Sequence, residues 1–334
     1  MNRISELYDG RVIDRGQDSF LAGSPECPFI LKGIPVRDRD EAVRVNIIAM
    51  GDVGGTVLLG LRLLAGELIS TIGIYDLNSS VTERYEREIN QVTFPDGRAL
   101  PKVRILDASE CFDCDVFVFC ATKAVPPLEA DGDVRMVQLE ANKGLVEMYA
   151  RQAVDRDFKG LFAVVSDPVD PLCMAAANAG LNPSQIKGYG LGVMYARALY
   201  AAGELGIADS FRAGGRAFGP HGADLVIADN INDYSESVSL ELTRRAVESN
   251  LVTRQSGFKP YIAPAMSSAA ISLIETIRGG WHYSSVFNGQ LFLGCRNRII
   301  AGLTEVEDYP LDRRLFERIR TACSNLAEVL PYER

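Results

Sequence analysis

The sequence predicts an α/β protein in which a doubly wound parallel sheet is followed by an α+β domain. From Val43 onward, short apolar runs alternate with amphipathic helical segments, and each run is apolar throughout, as in strands that are covered on both faces. The first run, VRVNIIAM, leads directly into a glycine-rich turn and a helix, which is typical of a Rossmann unit. After Pro168 helical segments and strand-like segments, such as FRAGGRAFG at 211–219, mix without that alternation. We expect three parts: an N-terminal arm or small ribbon (1–42), a Rossmann domain (43–167) and an α+β domain that supplies substrate and catalytic groups (168–334).

The first 42 residues carry turn signals such as YDGR and GSPECP around short apolar pieces. This pattern predicts either an arm that extends over a neighbouring subunit or a local ribbon, and it favours neither.

The composition of the 334-residue chain excludes several classes of function. A net charge of -9 without a local Lys/Arg block repels a phosphate backbone, so we expect no nucleic-acid partner. No apolar run reaches the ~20 residues that span a bilayer, and the N-terminus lacks the basic start and apolar core of a signal peptide. We therefore expect a cytoplasmic protein without membrane association.

The cysteines and histidines predict no metal site. The chain has seven cysteines, an odd number that are scattered along it, which favours reduced thiols. Cys111 and Cys114 form a CxxC motif, but a metal or redox role needs a second pair or nearby histidines. The chain has only two histidines, His221 and His282.

The turn after VRVNIIAM has the residues of a dinucleotide site. Gly51, Asp52, Val53 and Gly54 lie where backbone N–H groups at a helix N-terminus receive a pyrophosphate. Ala49 replaces the first glycine of G-x-G-x-x-G, and a two-glycine turn alone is also common as a structural turn.

The next strand adds a second signal. Asp76 ends it about 20 residues beyond the turn, where a carboxylate accepts hydrogen bonds from ribose hydroxyls and repels a 2′-phosphate. Together the two features predict NAD as the cofactor, and not NADP.

From about Val43 to Leu330 the order of motifs resembles the lactate/malate dehydrogenase family. The motifs are Asp76 in IYDLN, Gly132 to Arg135 followed by Asn142, SDPVD at 166–170, Tyr195-Ala196-Arg197, Gly219-Pro220-His221-Gly222, KPYIAPAMSSAA at 259–270, and QLFLGCRNRI. The resemblance implies NAD-dependent hydride transfer to or from the C2 of a small 2-hydroxy or 2-keto acid. It also implies a homo-oligomer, a dimer or a tetramer, and it adds Ala121 and Asn142 to the cofactor-binding residues.

The resemblance assigns three catalytic residues. His221 matches the histidine that carries the hydroxyl proton, a task that suits a pKa near 6.5. Arg197 matches the arginine that binds the substrate carboxylate through its planar guanidinium. Arg135 matches the lid arginine that polarises the carbonyl. Without the resemblance, these would be read as a structural histidine and two surface arginines.

Two positions depart from the family pattern. Met194 stands where the family has the aspartate that orients the histidine, and Asp167 stands where it has an asparagine. A methionine cannot accept the imidazole N–H as a carboxylate does. One hypothesis is that Asp167 supplies the missing carboxylate, so that the chain is an enzyme with an altered proton-relay pair. The other is that catalysis is lost and the protein binds NAD(H) in a sensing or partner-binding role.

The lid segment leaves the substrate open. Between Cys120 and Arg135 it is longer than the family's lid and offers no clear counterpart, other than Lys123, to the basic residue that binds a second carboxylate. Its acidic residues would oppose a dicarboxylate if they faced the pocket. Malate is therefore not indicated over a neutral, bulky or amino-bearing acid.

Overall fold

The computed structural model describes residues 2–8, 12–13, 29–31, 41–123 and 134–333. Within them the strands are β1 (Asn2–Arg3), β2 (Val12–Ile13), β3 (Phe29–Leu31), β4 (Val43–Ile48), β5 (Ile69–Tyr75), β6 (Lys102–Ile105), β7 (Val116–Phe119), β8 (Leu161–Val164), β9 (Ile186–Gly188), β10 (Arg216–Phe218), β11 (Val226–Ala228), β12 (His282–Phe287), β13 (Phe292–Ile300), β14 (Leu303–Val306) and β15 (Pro310–Leu311). The helices in the same residues are α1 (Asp52–Leu64), α2 (Ser79–Asn90), α3 (Val134–Asp155), α4 (Val169–Asn178), α5 (Leu191–Glu204), α6 (Ala208–Gly214), α7 (Glu236–Gln255), α8 (Ile271–Arg278) and α9 (Arg313–Val329). A π-helical segment, Pro264–Ala270, leads directly into α8.

Eleven of the fifteen described strands form one sheet in the order β2-β3-β14-β13-β12-β9-β8-β7-β4-β5-β6; β1 pairs with β15, and β10 pairs with β11, in two separate two-stranded sheets. The pairs from β6 through β9 are parallel, and the strand order reverses between β4 and β7. This is the doubly wound order of a dinucleotide-binding sheet, which has its ligand crevice at the point of reversal. The predicted α/β class is confirmed.

The central strands are apolar at every position because both of their faces are covered. Successive side chains of a strand point to opposite faces. In β7, Val116 and Val118 belong to the core that contains α1 and α8, whereas Phe117 and Phe119 belong to the core that contains α3 and α4. The continuous apolar runs therefore predicted this parallel sheet correctly.

The antiparallel strands continue the same sheet, because β12 pairs with β9. Ser285 pairs with Gly188, and a side chain at Gly188 would come within 2.5 Å of Val169. Beside this pair, the buried Lys187 Nζ donates a hydrogen bond to Asn297 Oδ1 on β13 (2.8 Å). Burial lowers the pKa of Lys187 to about 7.

Two of the predicted boundaries stay predictions. Of residues 1–42 the structure describes β1, which pairs with β15, the segment Ile4–Tyr8 that follows it, β2 and β3, which pair at the sheet edge beside β14, and residues 41–42. The rest of the predicted arm or ribbon lies outside the described residues. The predicted boundary between 167 and 168 falls between β8 and α4.

One local prediction was wrong. The segment FRAGGRAFG has a strand-like pattern, but α6 continues to Gly214 and only Arg216–Phe218 pairs as a strand. Phe211 is fully buried on α6, and a side chain at Gly215 would come within 2.4 Å of its ring. Gly215 therefore lets the chain turn closely around Phe211 before β10 begins.

No helix in the described part of the chain combines the length and the apolar character that crossing a bilayer requires. The six cysteines in that part, Cys111, Cys114, Cys120, Cys173, Cys295 and Cys323, are free thiols. Burial raises the pKa of the Cys111 thiol to about 11, so that it is protonated at neutral pH. Nor do the described residues contain a group of three or more His, Cys, Asp or Glu side chains suited to a metal ion.

Candidate active site

The turn after β4 keeps the geometry of a dinucleotide fingerprint. Ala49, in place of the first glycine, has a φ of 66°, which is in the left-handed region that favours glycine. A side chain at Gly54 would come within 2.0 Å of the Ala49 carbonyl oxygen, so α1 approaches the strand end as closely as it does only because Gly54 has none. Gly51 precedes α1 without a side-chain cap, which leaves backbone N–H groups available for an anion.

Asp76 lies directly beside this turn. Its Oδ2 accepts a hydrogen bond from the Met50 N–H (2.7 Å), and its Oδ1 accepts one from the Asn78 N–H (2.9 Å). A carboxylate has about four acceptor sites, so lone pairs remain for ribose hydroxyls. The close backbone turn and the acceptor beside it fit the phosphates and the adenosine ribose of NAD.

Asp52 has a partner that the sequence did not reveal. It is the first residue of α1, where a carboxylate is stabilised by the helix dipole but would repel a phosphate. The ammonium of Lys259 lies 3.4 Å from Asp52 Oδ2 and offsets this charge. Both side chains are more than half exposed, so the pair is weak.

The structure brings His221 and Asp167 together. Asp167 follows β8, and His221 follows β10 after the turn at Gly219, whose φ is 84°. His221 Nδ1 donates a hydrogen bond to Asp167 Oδ1 (3.1 Å). The exposed fraction is 10% for the imidazole and 47% for the carboxylate. The second imidazole nitrogen, Nε2, has no partner in the described part of the chain.

A second carboxyl group, Asp170, lies below this pair. It is fully buried on α4, and Ser285 Oγ donates a hydrogen bond to its Oδ1. The pKa of Asp170 is raised to about 6, chiefly by burial; hydrogen bonding from Ser285 and the proximity of His221 act to lower it, and the negative charge of Asp167 acts to raise it. The carboxyl group of Asp170 therefore titrates near pH 6, and its pKa depends on the charges of both His221 and Asp167.

The guanidinium of Arg197 is held by two neighbouring side chains. Its Nη1 donates to Met194 Sδ (3.5 Å), and its Nη2 donates to Asn250 Oδ1 on α7. Burial lowers the pKa of Arg197 to about 10, although the nearby Asp167 acts in the opposite direction. Met194, in the position of the family's aspartate, thus contacts the arginine.

The remaining predicted residues have other described roles. Asn142 is fully buried, accepts hydrogen bonds from the Lys123 N–H (2.9 Å) and Thr122 Oγ1 (3.2 Å), and donates to the Asp167 carbonyl (3.0 Å). The Ala121 carbonyl accepts from Ser166 Oγ (2.7 Å). These bonds join the segments after β7 and β8, and the predicted cofactor contacts of Asn142 and Ala121 stay predictions.

The structure does not describe the side chain of Arg135, which the resemblance predicts to be catalytic. Arg135 belongs to the first turn of α3. Its predicted role also stays a prediction.

A cleft of about 630 Å³ lies at the point where the strand order reverses, and it contains both the turn after β4 and the contact between His221 and Asp167. The Gly51–Gly54 turn, Asp167 and His221 all line it. Asn250 and Arg254, which the sequence did not indicate, also line it, as does Lys259, the first residue of the KPYIAPAMSSAA motif.

Comparisons with known proteins relate the chain to two kinds of enzyme. No model of a known protein family matches the sequence. An L-lactate dehydrogenase of Corynebacterium efficiens is 29% identical over 163 residues, which make up 48% of this chain and 49% of that protein. A probable malate dehydrogenase of Campylobacter jejuni is 24% identical over 249 residues, or 71% of this chain and 80% of that protein. The chain spans about half the length of the first curated relatives that it matches.

The similarity extends to solved structures. A minor L-lactate dehydrogenase from Enterococcus mundtii, in its ligands-bound form, matches with a TM-score of 0.73 and 19% identity. The match covers 86% of this chain and 97% of that one. At this level of identity the likeness shows a shared fold.

Proposed function

We propose that this chain, which belongs to the lactate/malate dehydrogenase family, is an NAD-dependent oxidoreductase that interconverts a small 2-hydroxy acid and its 2-keto acid. The hydrogen bond between His221 and Asp167, in the cleft that also contains the Gly51–Gly54 turn, carries the proposal. A histidine held at Nδ1 by a carboxylate is suited to exchange a proton at Nε2 near neutral pH.

In the proposed reaction, bound NAD supplies or accepts the hydride at its nicotinamide ring. His221 takes the hydroxyl proton at Nε2 during oxidation of the substrate and returns it during reduction. Asp167 accepts the Nδ1–H, fixes the orientation of the ring and stabilises the imidazolium form. Asp167 would thereby replace the aspartate that is absent at Met194.

The other predicted residues complete the proposed site. Arg197 binds the substrate carboxylate, and Arg135 polarises the carbonyl. The Gly51–Gly54 backbone binds the pyrophosphate of NAD, Asp76 binds its ribose, and Ala121 and Asn142 shape the cofactor side of the cleft.

The test is steady-state NADH oxidation across a panel of 2-keto acids with the wild type and Asp167→Asn. We expect Asp167→Asn to lower kcat by about 10³- to 10⁴-fold, because an amide cannot stabilise the imidazolium as a carboxylate does. The Kd for NADH, measured by fluorescence, should change by less than about twofold. Asp96→Asn is the control, since it makes the same change at an exposed residue that does not line the cleft. Retained turnover in Asp167→Asn would contradict the proposal.

A second candidate is an NAD(H)-binding protein without turnover that senses NADH or serves a partner. It is favoured by Arg197, which is bonded to Met194 and Asn250 and does not line the cleft. In the same assays this candidate predicts NADH binding without oxidation for every 2-keto acid tested.

We also propose that the protein is a cytoplasmic homo-oligomer, a dimer or a tetramer. Leu59 and Leu63 lie one turn apart on α1 and are 40% and 42% exposed, which supports an apolar contact between subunits. Free thiols at the described cysteines support a reducing compartment. Light scattering of the purified chain tests the assembly, and a monomer at micromolar concentration would contradict it.

A further inference from the structure

The charged side chains that line the cleft are not all paired. Lys259 Nζ lies 3.4 Å from Asp52 Oδ2, and Asp167 Oδ1 lies 3.1 Å from His221 Nδ1. The remaining charged lining residue, Arg254, has no hydrogen bond or ion pair from its guanidinium to any residue that the structure describes. It is also partly buried, and a partly buried guanidinium without a partner favours an anion.

Arg254 lies near the C-terminal end of α7, one helical turn after Asn250. Asn250 and Arg254 are four residues apart and therefore share a face of α7, about 6 Å apart along the helix axis. Asn250 Oδ1 accepts a hydrogen bond from Arg197 Nη2. The cleft side of α7 therefore has one guanidinium held at Asn250 and a second about one helical turn further on.

We propose that Arg254 binds a second carboxylate on the substrate, so that the substrate is a dicarboxylic 2-keto acid. This inference rests on the proposed function, in which Arg197 binds the carboxylate next to the keto group. The planar guanidinium of Arg254 binds the side-chain carboxylate through two parallel hydrogen bonds. The residue that selects a substrate with a second carboxylate is then Arg254 on α7, and the lid needs no basic residue for this selection.

The anion at Arg254 could instead be the pyrophosphate of the cofactor. Lys259, only five residues after Arg254, contacts Asp52 beside the Gly51–Gly54 turn, where that pyrophosphate is proposed to bind. The pyrophosphate of the cofactor offers the same anionic oxygens as a carboxylate. The experiment therefore measures the binding of cofactor and of substrate separately.

The variant is Arg254→Gln in the full chain, and the matched control is Lys259→Gln. The substrates are oxaloacetate and 2-oxobutanoate, which have the same carbon chain and differ in the second carboxylate. We expect Arg254→Gln to raise the KM for oxaloacetate by about 10- to 100-fold, since one hydrogen-bonded charge partner is lost. The KM for 2-oxobutanoate and the Kd for NADH should change by less than about twofold. Lys259→Gln should leave the ratio of the two KM values unchanged.

Two results would overturn the inference: equal KM values for oxaloacetate in the variant and the wild type, or weaker NADH binding with both substrates affected alike. The second would assign Arg254 to the pyrophosphate. If the wild type turns over no 2-keto acid, the proposed function fails, but calorimetry of the NADH complex still tests the site. Succinate should then bind the wild type and not Arg254→Gln, and butyrate should bind neither; equal binding of succinate to both proteins would overturn the inference.

Discussion

The Gly51–Gly54 turn and the His221–Asp167 pair line the same cleft, but one is a backbone feature and the other is a contact between side chains. The turn is made of backbone: Ala49 keeps a φ of 66° although it is not glycine, and Gly54 still allows the close approach of α1. The pair is made of side chains, and there the departures from the family pattern change the contacts. Asp167 holds His221, and Met194 contacts Arg197.

This difference shows how the two regions respond to substitution. A backbone site keeps its hydrogen-bonding groups whenever the chain can hold the same φ and ψ angles. A side-chain site loses a specific donor or acceptor with each replacement, and it works only if another residue supplies that group.

The largest expected effect is that of Gly54→Ala. The added methyl group would lie 2.0 Å from the Ala49 carbonyl oxygen, so the turn must open. We expect a loss of about 3 kcal/mol in the free energy of unfolding, measured by urea denaturation, together with weaker NADH binding.

Gly51→Ala is the control for this prediction. A side chain at Gly51 meets nothing within 4 Å, so the stability should be unchanged. In the proposed site the methyl group would stand where the pyrophosphate approaches, so NADH affinity should fall by about tenfold. Equal stability losses in both variants would show that the turn does not have this geometry.

The next effect concerns the side-chain region and its pH dependence. Because burial raises the pKa of Asp170 to about 6 from 3.8, the folded state holds a proton that the unfolded state releases between these values. Stability from this group is therefore present below about pH 4 and is lost as the pH rises through about 6, by on the order of 2 kcal/mol.

Asp170→Asn removes this titration and keeps an Oδ1 acceptor for Ser285. We expect the Tm of the wild type to fall, relative to that of the variant, between pH 4 and pH 6 in thermal denaturation. Parallel Tm profiles would mean that Asp170 has an ordinary pKa.

The smallest effect returns to the turn. Ala49→Gly relieves a left-handed backbone conformation and should raise the free energy of unfolding by about 1 kcal/mol. Ala301, with a φ of 49°, has the same kind of strain at a turn outside the cleft. Ala301→Gly should give a similar gain with no change in NADH binding, and a decrease in stability for either variant would contradict this account of the turn.

The sequence predicted those features that depend on local patterns. The apolar runs predicted the parallel strands, and the glycine spacing with Asp76 predicted the turn. The two departures from the family pattern, at Met194 and Asp167, suggested the contact with His221 that the structure shows.

The residues that were missed depend on packing between distant segments. Asn250 and Arg254 lie in an ordinary polar helix, and nothing local indicates that this face of α7 lines the cleft. The bond between Asn250 and Arg197 spans 53 positions in sequence. Asn142 matched a cofactor residue by its motif, but its described bonds hold two loops together, and no local pattern distinguishes these roles.

The pairing between β9 and β12 also limits how the two halves of the protein can move relative to each other. Because Ser285 pairs with Gly188 and Lys187 bonds to Asn297, the parallel strands β6 through β9 and the antiparallel strands β12 through β14 belong to one continuous sheet. A hinge rotation of one half against the other would break this pairing, so motion around a bound ligand is confined to the helices and loops at the rim. Because the two halves share this sheet, we expect their unfolding to be coupled.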